Sequence, residues 1–226
     1  MQEVPCDMQN TYNYILFDLD GTLTDSAKGI IKSIQYSLKQ FNIEAKPEEL
    51  LSFLGPPLHL SFMDNYNFNS EESFVAVKYY RSYYAQKGIF ENKLYPGILP
   101  LLKLLKTERK RLFIATSKPT LYATKILAHF KIDCFFNFIG GSNMDGTKTR
   151  KAEVIETVFA AAPGINKRET VMIGDRCHDV HGANAHDIDS IAVLYGYGSL
   201  SELESARPSY LANTVSELTQ ILLPKK

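Results

Sequence analysis

Asp18 and Asp20 stand two residues apart at the end of an apolar run, with Gly21 directly after them. In an extended strand both would face one side, but the glycine ends the strand and lets the second carboxylate swing over the first. Paired carboxylates beside a cation can divide two roles: one stays ionised as nucleophile and metal ligand, the other gives a proton to a departing oxygen. The same residues could also serve as helix caps or Asx-turns at a strand end. A second acidic pair, Asp175 and Asp179, sits in Gly174-Asp175-Arg176-Cys177-His178-Asp179 after another apolar run. Hard oxygen ligands at this density suit Mg²⁺ better than zinc or copper, although either aspartate could equally cap the helix that follows.

Thr116-Ser117-Lys118 closes a third run. Ser117 could donate to a phosphoryl oxygen or cap a helix beginning at Pro119. Lys151 opens a helical pattern, an end where the helix dipole mildly disfavours a cation, and this gives weight to a role in neutralising phosphate. Lys148 lies close enough to compete for that role. Cys177, His178 and His181 offer a soft-metal alternative, which the neighbouring aspartates argue against. Tyr79, Tyr80, Tyr83 and Tyr84 form a stripe that reads as packing. Gly140-Gly141-Ser142 reads as a turn.

The apolar runs that must carry these groups are Tyr12–Leu19, Arg111–Ala115, Phe135–Ile139, Thr170–Ile173 and Ser190–Leu194. Unbroken runs of this length predict strands buried on both faces. Helical patterns over Pro119–Phe130 and Lys151–Ala161 alternate with them, which predicts a doubly wound parallel sheet in an α/β fold. Ligands of such sheets bind beyond the carboxyl ends of the strands, where all the groups above fall. The alternation breaks between Ala27 and Asn92. Ile30, Ile31, Ile34, Leu38 and Phe41 mark an amphipathic helix there. Pro47 suits a first helical position, Ser70 can cap a further helix, and Gly88 can end it. The expected organisation is a core over 12–26 and 93–226, a helical insert over 27–92 and a polar tail over 1–11.

Of 226 residues, 25 are basic and 25 acidic, so no net charge draws the chain to nucleic acid or an anionic membrane. Cys6, Cys134 and Cys177 are odd in number and far apart, which argues against a disulfide framework. No apolar run is long enough to span a bilayer, and the first residues lack the apolar stretch of a signal peptide. A cytoplasmic protein is expected. Oligomeric state is open, and a monomer is compatible with everything above.

Taken in order, these groups resemble the four motifs of the haloacid dehalogenase superfamily: Asp18-Leu19-Asp20-Gly21-Thr22 the first, Ser117 the second, Lys151 the third, and Gly174-Asp175 with Asp179 the fourth. The likeness runs from Tyr12 to the end, and the insert resembles the family's small α-helical cap domain. Thr116-Ser117-Lys118-Pro119 and Gly55-Pro56-Pro57-Leu58 are similar to the phosphoglycolate-phosphatase-like branch. The resemblance implies a Mg²⁺-dependent phosphatase acting on a small-molecule phosphate ester. Asp18 would attack phosphorus to form an aspartyl-phosphate, and Asp20 would act as general acid and then base. Mg²⁺ would be held by Asp18, the Asp20 carbonyl and Asp175, with Asp179 in support. Ser117 and Lys151 would hold the transferring oxygens. Gly21, Thr22 and Lys118 would help bind phosphate, and Gly55 and His59 of the cap would meet the substrate. A dehalogenase would lack Asp20. A phosphonatase would need a cap lysine, and none lies between Pro47 and Lys78. A nucleotidase, a pyrophosphatase, a phosphosugar mutase and a non-enzymatic phospho-ligand sensor remain as alternatives.

Overall fold

The computed structural model describes residues 12–224, so the expected polar tail and Cys6 lie outside it. Strand β1 spans Tyr14–Phe17 and leads through a short β2, Thr24–Asp25, into α1, Ala27–Lys39. A 3₁₀ segment over Pro47–Phe53 precedes α2, Leu58–Tyr66, and α3, Ser70–Tyr84. A second short strand, β3 at Lys93–Leu94, runs antiparallel to β2 and pairs Asp25 with Lys93. Then α4, Ile98–Thr107, leads into β4, Arg111–Pro119, and α5, Thr120–His129. Next come β5, Phe136–Ser142, and α6, Lys151–Ala161. They are followed by β6, Thr170–Gly174, α7, Cys177–Asn184, and β7, Asp189–Val193. The chain continues with α8, Leu200–Ala206, β8, Tyr210–Ala212, and α9, Val215–Leu222.

Six strands form one parallel sheet in the order β5-β4-β1-β6-β7-β8. Successive residues of the central strands alternate between two separate cores, as the two-residue period requires. Ile15, Phe17, Leu112, Ile114, Val171 and Ile173 face one layer with α4, α5 and α9. Leu16, Phe113, Ala115 and Met172 face the other, with Val154, Ile155 and Val158 of α6 and Ala183 of α7. Burial on both faces is why these strands read as unbroken apolar runs. The doubly wound α/β fold expected from the sequence is therefore present. From β1 the chain steps outward to β4 and β5, then returns to the other side of β1 as β6. This reversal places the carboxyl ends of β4, β1 and β6 side by side at a switch point.

The chain between β2 and β3 carries helices and no strand. Ile30, Ile31, Ile34 and Leu38 of α1 pack with Phe53, Phe62, Tyr80 and Tyr84 in a continuation of the first core layer. Local signals differ in detail from the expectations. Asn69, not Ser70, caps α3, accepting from the Glu72 amide while the Glu72 carboxylate accepts from the Asn69 amide. Gly88 does not end α3, which stops at Tyr84; it packs instead against Gly29 of α1, where a Cβ on Gly29 would collide with the Gly88 carbonyl. Gly140-Gly141-Ser142 is not a turn but the buried end of β5. A Cβ on Gly141 would sit 2.5 Å from the Lys118 carbonyl, so glycine here permits close approach of two strands. No described helix is long and apolar enough to cross a membrane.

Candidate active site

The groups singled out in the sequence gather where β1, β4 and β6 end. The Asp18 amide donates to the Ile173 carbonyl at 2.8 Å, which fixes the end of β1 against β6. Gly21 turns with φ of +83°, and its missing Cβ leaves room for the Asp175 carboxylate. The Thr22 hydroxyl donates to Asp175 Oδ1 at 3.1 Å and the Tyr197 amide donates to Asp175 Oδ2 at 2.8 Å. Thr22, expected to meet phosphate, therefore has its hydroxyl committed to orienting Asp175. The Arg176 amide donates to Asp179 Oδ2 at 3.1 Å, holding that carboxylate inward from the first turn of α7.

Oxygen atoms of Asp18, Asp175 and Asp179 lie within 4.8 Å of one another. Asp175 and Asp179 are fully buried. Burial, then the charges of Asp179 and Asp18, push the Asp175 carboxyl well above the usual carboxylate range. Burial also lifts Asp179, to about 6; Lys151 opposes that rise and Asp18 adds to it. Cys177, His178 and His181 do not join this group, which contains only carboxylates.

Lys151 is the lysine that reaches the centre. Its Nζ lies 2.9 Å from Asp18 Oδ1 and 2.8 Å from Asp179 Oδ1, and donates to the Ala115 carbonyl at 2.8 Å. Burial pulls its pKa down, but Asp179 and Asp18 more than reverse that, so it stays charged. Lys148, the competing candidate, is exposed.

Asp20 is ion-paired with Lys118, whose Nζ also lies 4.9 Å above the Tyr84 ring. Lys118 is buried, which lowers its proton affinity, yet Asp20 holds it above the ordinary lysine value. Asp20 Oδ1 is buried and takes no hydrogen bond among the described residues. Ser117 is half-buried at the end of β4, and Thr116 just before it is buried, its Oγ1 accepting from the Lys118 amide at 3.3 Å.

In the insert, Gly55 has φ of +113° and its backbone lies against Arg176, whose guanidinium donates to the Leu54 carbonyl and, through Nε, to Glu202 at 2.9 Å. The ring of His59 stacks on Phe74 within the insert, their centroids 5.6 Å apart. Arg176, Tyr84 and the Tyr197 amide are not among the site residues expected from the sequence, and Thr116 enters there only beside Ser117. For Arg176 the only available signal was its place inside the acidic motif. For Tyr197 it was the alternation Tyr195-Gly196-Tyr197-Gly198 after a strand. A Cβ on Gly198 would collide with the Asp175 carbonyl.

Comparison with known proteins identifies the family. The family model described as haloacid dehalogenase-like hydrolase matches residues 15–193. A protein of Pseudomonas aeruginosa named 5'-nucleotidase is 40% identical over 213 residues, covering 93% of this chain and 96% of its own. A Mycobacterium tuberculosis protein named tyrosine-protein kinase PtkA is 38% identical over 212 residues, covering 92% of this chain and 72% of its own. A solved structure of a predicted phosphatase from Clostridium acetobutylicum superposes with a TM-score of 0.89 at 48% identity, covering 95% of this chain and 99% of the other. With the family model matched over most of its length and these relatives, the chain belongs to the haloacid dehalogenase-like hydrolases.

Proposed function

We propose that the chain is a Mg²⁺-dependent phosphatase that hydrolyses a small phosphate monoester through an aspartyl-phosphate on Asp18. One observation carries this reading: Lys151 bridges Asp18 and Asp179 beside Asp175, with Asp20 and Lys118 across from them. Lys151 neutralises one of the three carboxylates, two of them buried, and the two remaining charges fit a hard divalent cation. Asp18, Asp175 and Asp179, with the Asp20 carbonyl, would hold it. When bound, the ion supplies positive charge to the transferring phosphoryl group.

Asp18 has Oδ1 held by Lys151, which leaves Oδ2 to attack phosphorus. A P–O bond to Asp18 forms as the ester P–O bond breaks. Asp20, carrying a proton at the start, passes it to the departing alcohol oxygen and takes one back from the water that hydrolyses the acyl phosphate, so that Asp18 returns as the carboxylate and Asp20 as the acid. Lys151 keeps Asp18 aligned, and Ser117, Thr116 and Lys118 line the phosphoryl side at the end of β4. The reaction needs alignment and charge neutralisation above all, and the buried lysines supply both.

We read residues 12–26 and 93–226 as the catalytic core and 27–92 as a cap that closes over the leaving group. The working compartment is taken to be the cytoplasm, where thiols such as Cys134 and Cys177 stay reduced. Because one relative is named 5'-nucleotidase, nucleotides are among the first substrates to try. The test is a phosphate-ester screen of purified protein with Mg²⁺ and with chelator, beside Asp18→Asn. Turnover should require Mg²⁺ and vanish in the folded Asp18→Asn variant. Near-normal turnover by that variant rules out the covalent route, and a requirement for a bisphosphate activator points to a mutase.

A further inference from the structure

The Tyr84 hydroxyl is buried and has no hydrogen-bond partner among the described residues, with the residue itself 1% exposed. Such a group gives up its hydrogen bonds to water on burial and regains none, so a tyrosine that served only to pack would be replaced at no loss by phenylalanine. Its surroundings are not those of an apolar core alone. Tyr84 ends α3 of the insert, and its ring meets Tyr122 of α5 edge-on at 5.4 Å. The Lys118 ammonium lies 4.9 Å from the ring centre and pairs with Asp20. Asp20 Oδ1, on the proposed general acid, is likewise buried without a hydrogen bond. Burial, and then the Asp20 charge, push the Tyr84 hydroxyl well above its ordinary pKa, so it remains a neutral donor.

Resting on the phosphatase reading above, we infer that the Tyr84 hydroxyl is a hydrogen-bond partner for the alcohol part of the substrate. The substrate class is then an ester of an oxygenated alcohol, with a hydroxyl, ring oxygen or carboxylate near the ester carbon. The phosphoryl group lies over Asp18 and the ester oxygen beside Asp20, and the alcohol extends past Lys118 toward the cap. An alkyl or aryl ester has no atom to satisfy Tyr84 there. A site built to hydrogen-bond a substrate oxygen discriminates against the analogue that lacks it, because its own polar group is then left unpaired. The position is one that sequence pattern assigns to packing. Tyr80 fits that assignment, stacking on Tyr84 with centroids 5.3 Å apart, whereas Tyr84 does not fit it fully.

The test uses two non-hydrolysable ligands that differ only in oxygenation, propylphosphonate and 2,3-dihydroxypropylphosphonate. Their dissociation constants are measured by titration calorimetry with Mg²⁺, for the wild type and for Tyr84→Phe. The wild type should prefer the dihydroxy ligand about three- to tenfold, the range of one neutral hydrogen bond. In Tyr84→Phe, which keeps the ring and its stacking, that ratio should collapse to about one, with the melting temperature recorded to verify folding. No preference in the wild type overturns the inference, as does a preference that survives in Tyr84→Phe, an equal weakening of both ligands, or binding of neither. Phenyl phosphate hydrolysis by the wild type checks the phosphatase reading separately, since it needs no oxygenated alcohol.

Discussion

The Lys151 ammonium is ion-paired with Asp18 Oδ1 and Asp179 Oδ1 and donates to the Ala115 carbonyl. Removing it strands two carboxylates in a buried setting, which typically costs about 3–5 kcal/mol. Lys151→Met should therefore lower the melting temperature by on the order of 10 °C in chelator. With Mg²⁺ the loss should be smaller, because a cation can replace part of the missing charge. Equal losses under both conditions would contradict the electrostatic account. Asp179 extends the same logic to pH. Its carboxyl moves from an ordinary 3.8 up to about 6, through burial first, against Lys151 and with Asp18. The folded metal-free protein thus holds this proton more tightly than the unfolded chain. Stability from it is present below about 3.8 and lost as pH rises through about 6. A cation must displace that proton to bind, so the rise in melting temperature on adding Mg²⁺ should be larger at pH 7 than at pH 5. A rise of the same size at both would show that Asp179 is not part of the cation site.

Between elements, the most informative contact joins the turn at Gly55 to the start of α7. Arg176 follows Asp175 in the chain, pairs with Glu202 of α8 and donates to the Leu54 carbonyl, so one side chain ties the acidic motif to the insert. A Cβ at Gly55 would collide with the Arg176 guanidinium, and φ of +113° disfavours any side chain there. Gly55→Ala should push the turn away from the core. We expect kcat/KM on a selective substrate to fall about tenfold or more, with a much smaller change for phenyl phosphate, because misplaced positioning groups cost binding that only larger substrates use. A common loss on both substrates would make the turn a lid without selectivity. Elements also explain what was legible beforehand. β1, β4, β6 and β7 are buried on both faces and read as apolar runs, and their polar ends marked Asp18, Ser117 and Asp175. β8 has three residues, two of them only partly buried, and carries no such run. The glycines of β5 looked like a turn because a glycine selected for close strand packing and one selected for a turn are the same letter. Arg176, Thr116 and Tyr84 matter through neighbours that only the folded chain supplies, so no spacing rule could single them out.

At the scale of the whole molecule, a sheet fed by distant segments carries the acidic cluster and its lysines, and a helical insert packs beside it. β1 pairs with β4 almost a hundred residues later and with β6 later still, so the site assembles only when the entire core has formed. The insert is connected to the core at a single ribbon. It leaves at Asp25 and returns at Lys93, and these residues stand opposite each other in the β2–β3 ribbon, joined by an ion pair of 3.2 Å. Because entry and exit are neighbours, the 67 residues between them span almost no distance in the core. A chimera that exchanges this stretch for the equivalent piece of a relative should fold, retain Mg²⁺-dependent turnover and adopt the donor's ranking of substrates. A chimera that folds but keeps the recipient's ranking would locate selectivity in the core. If the ranking moves with the stretch, the ribbon is a graft junction, a place where what is accepted can be redrawn by exchanging everything above it while the catalytic floor stays untouched.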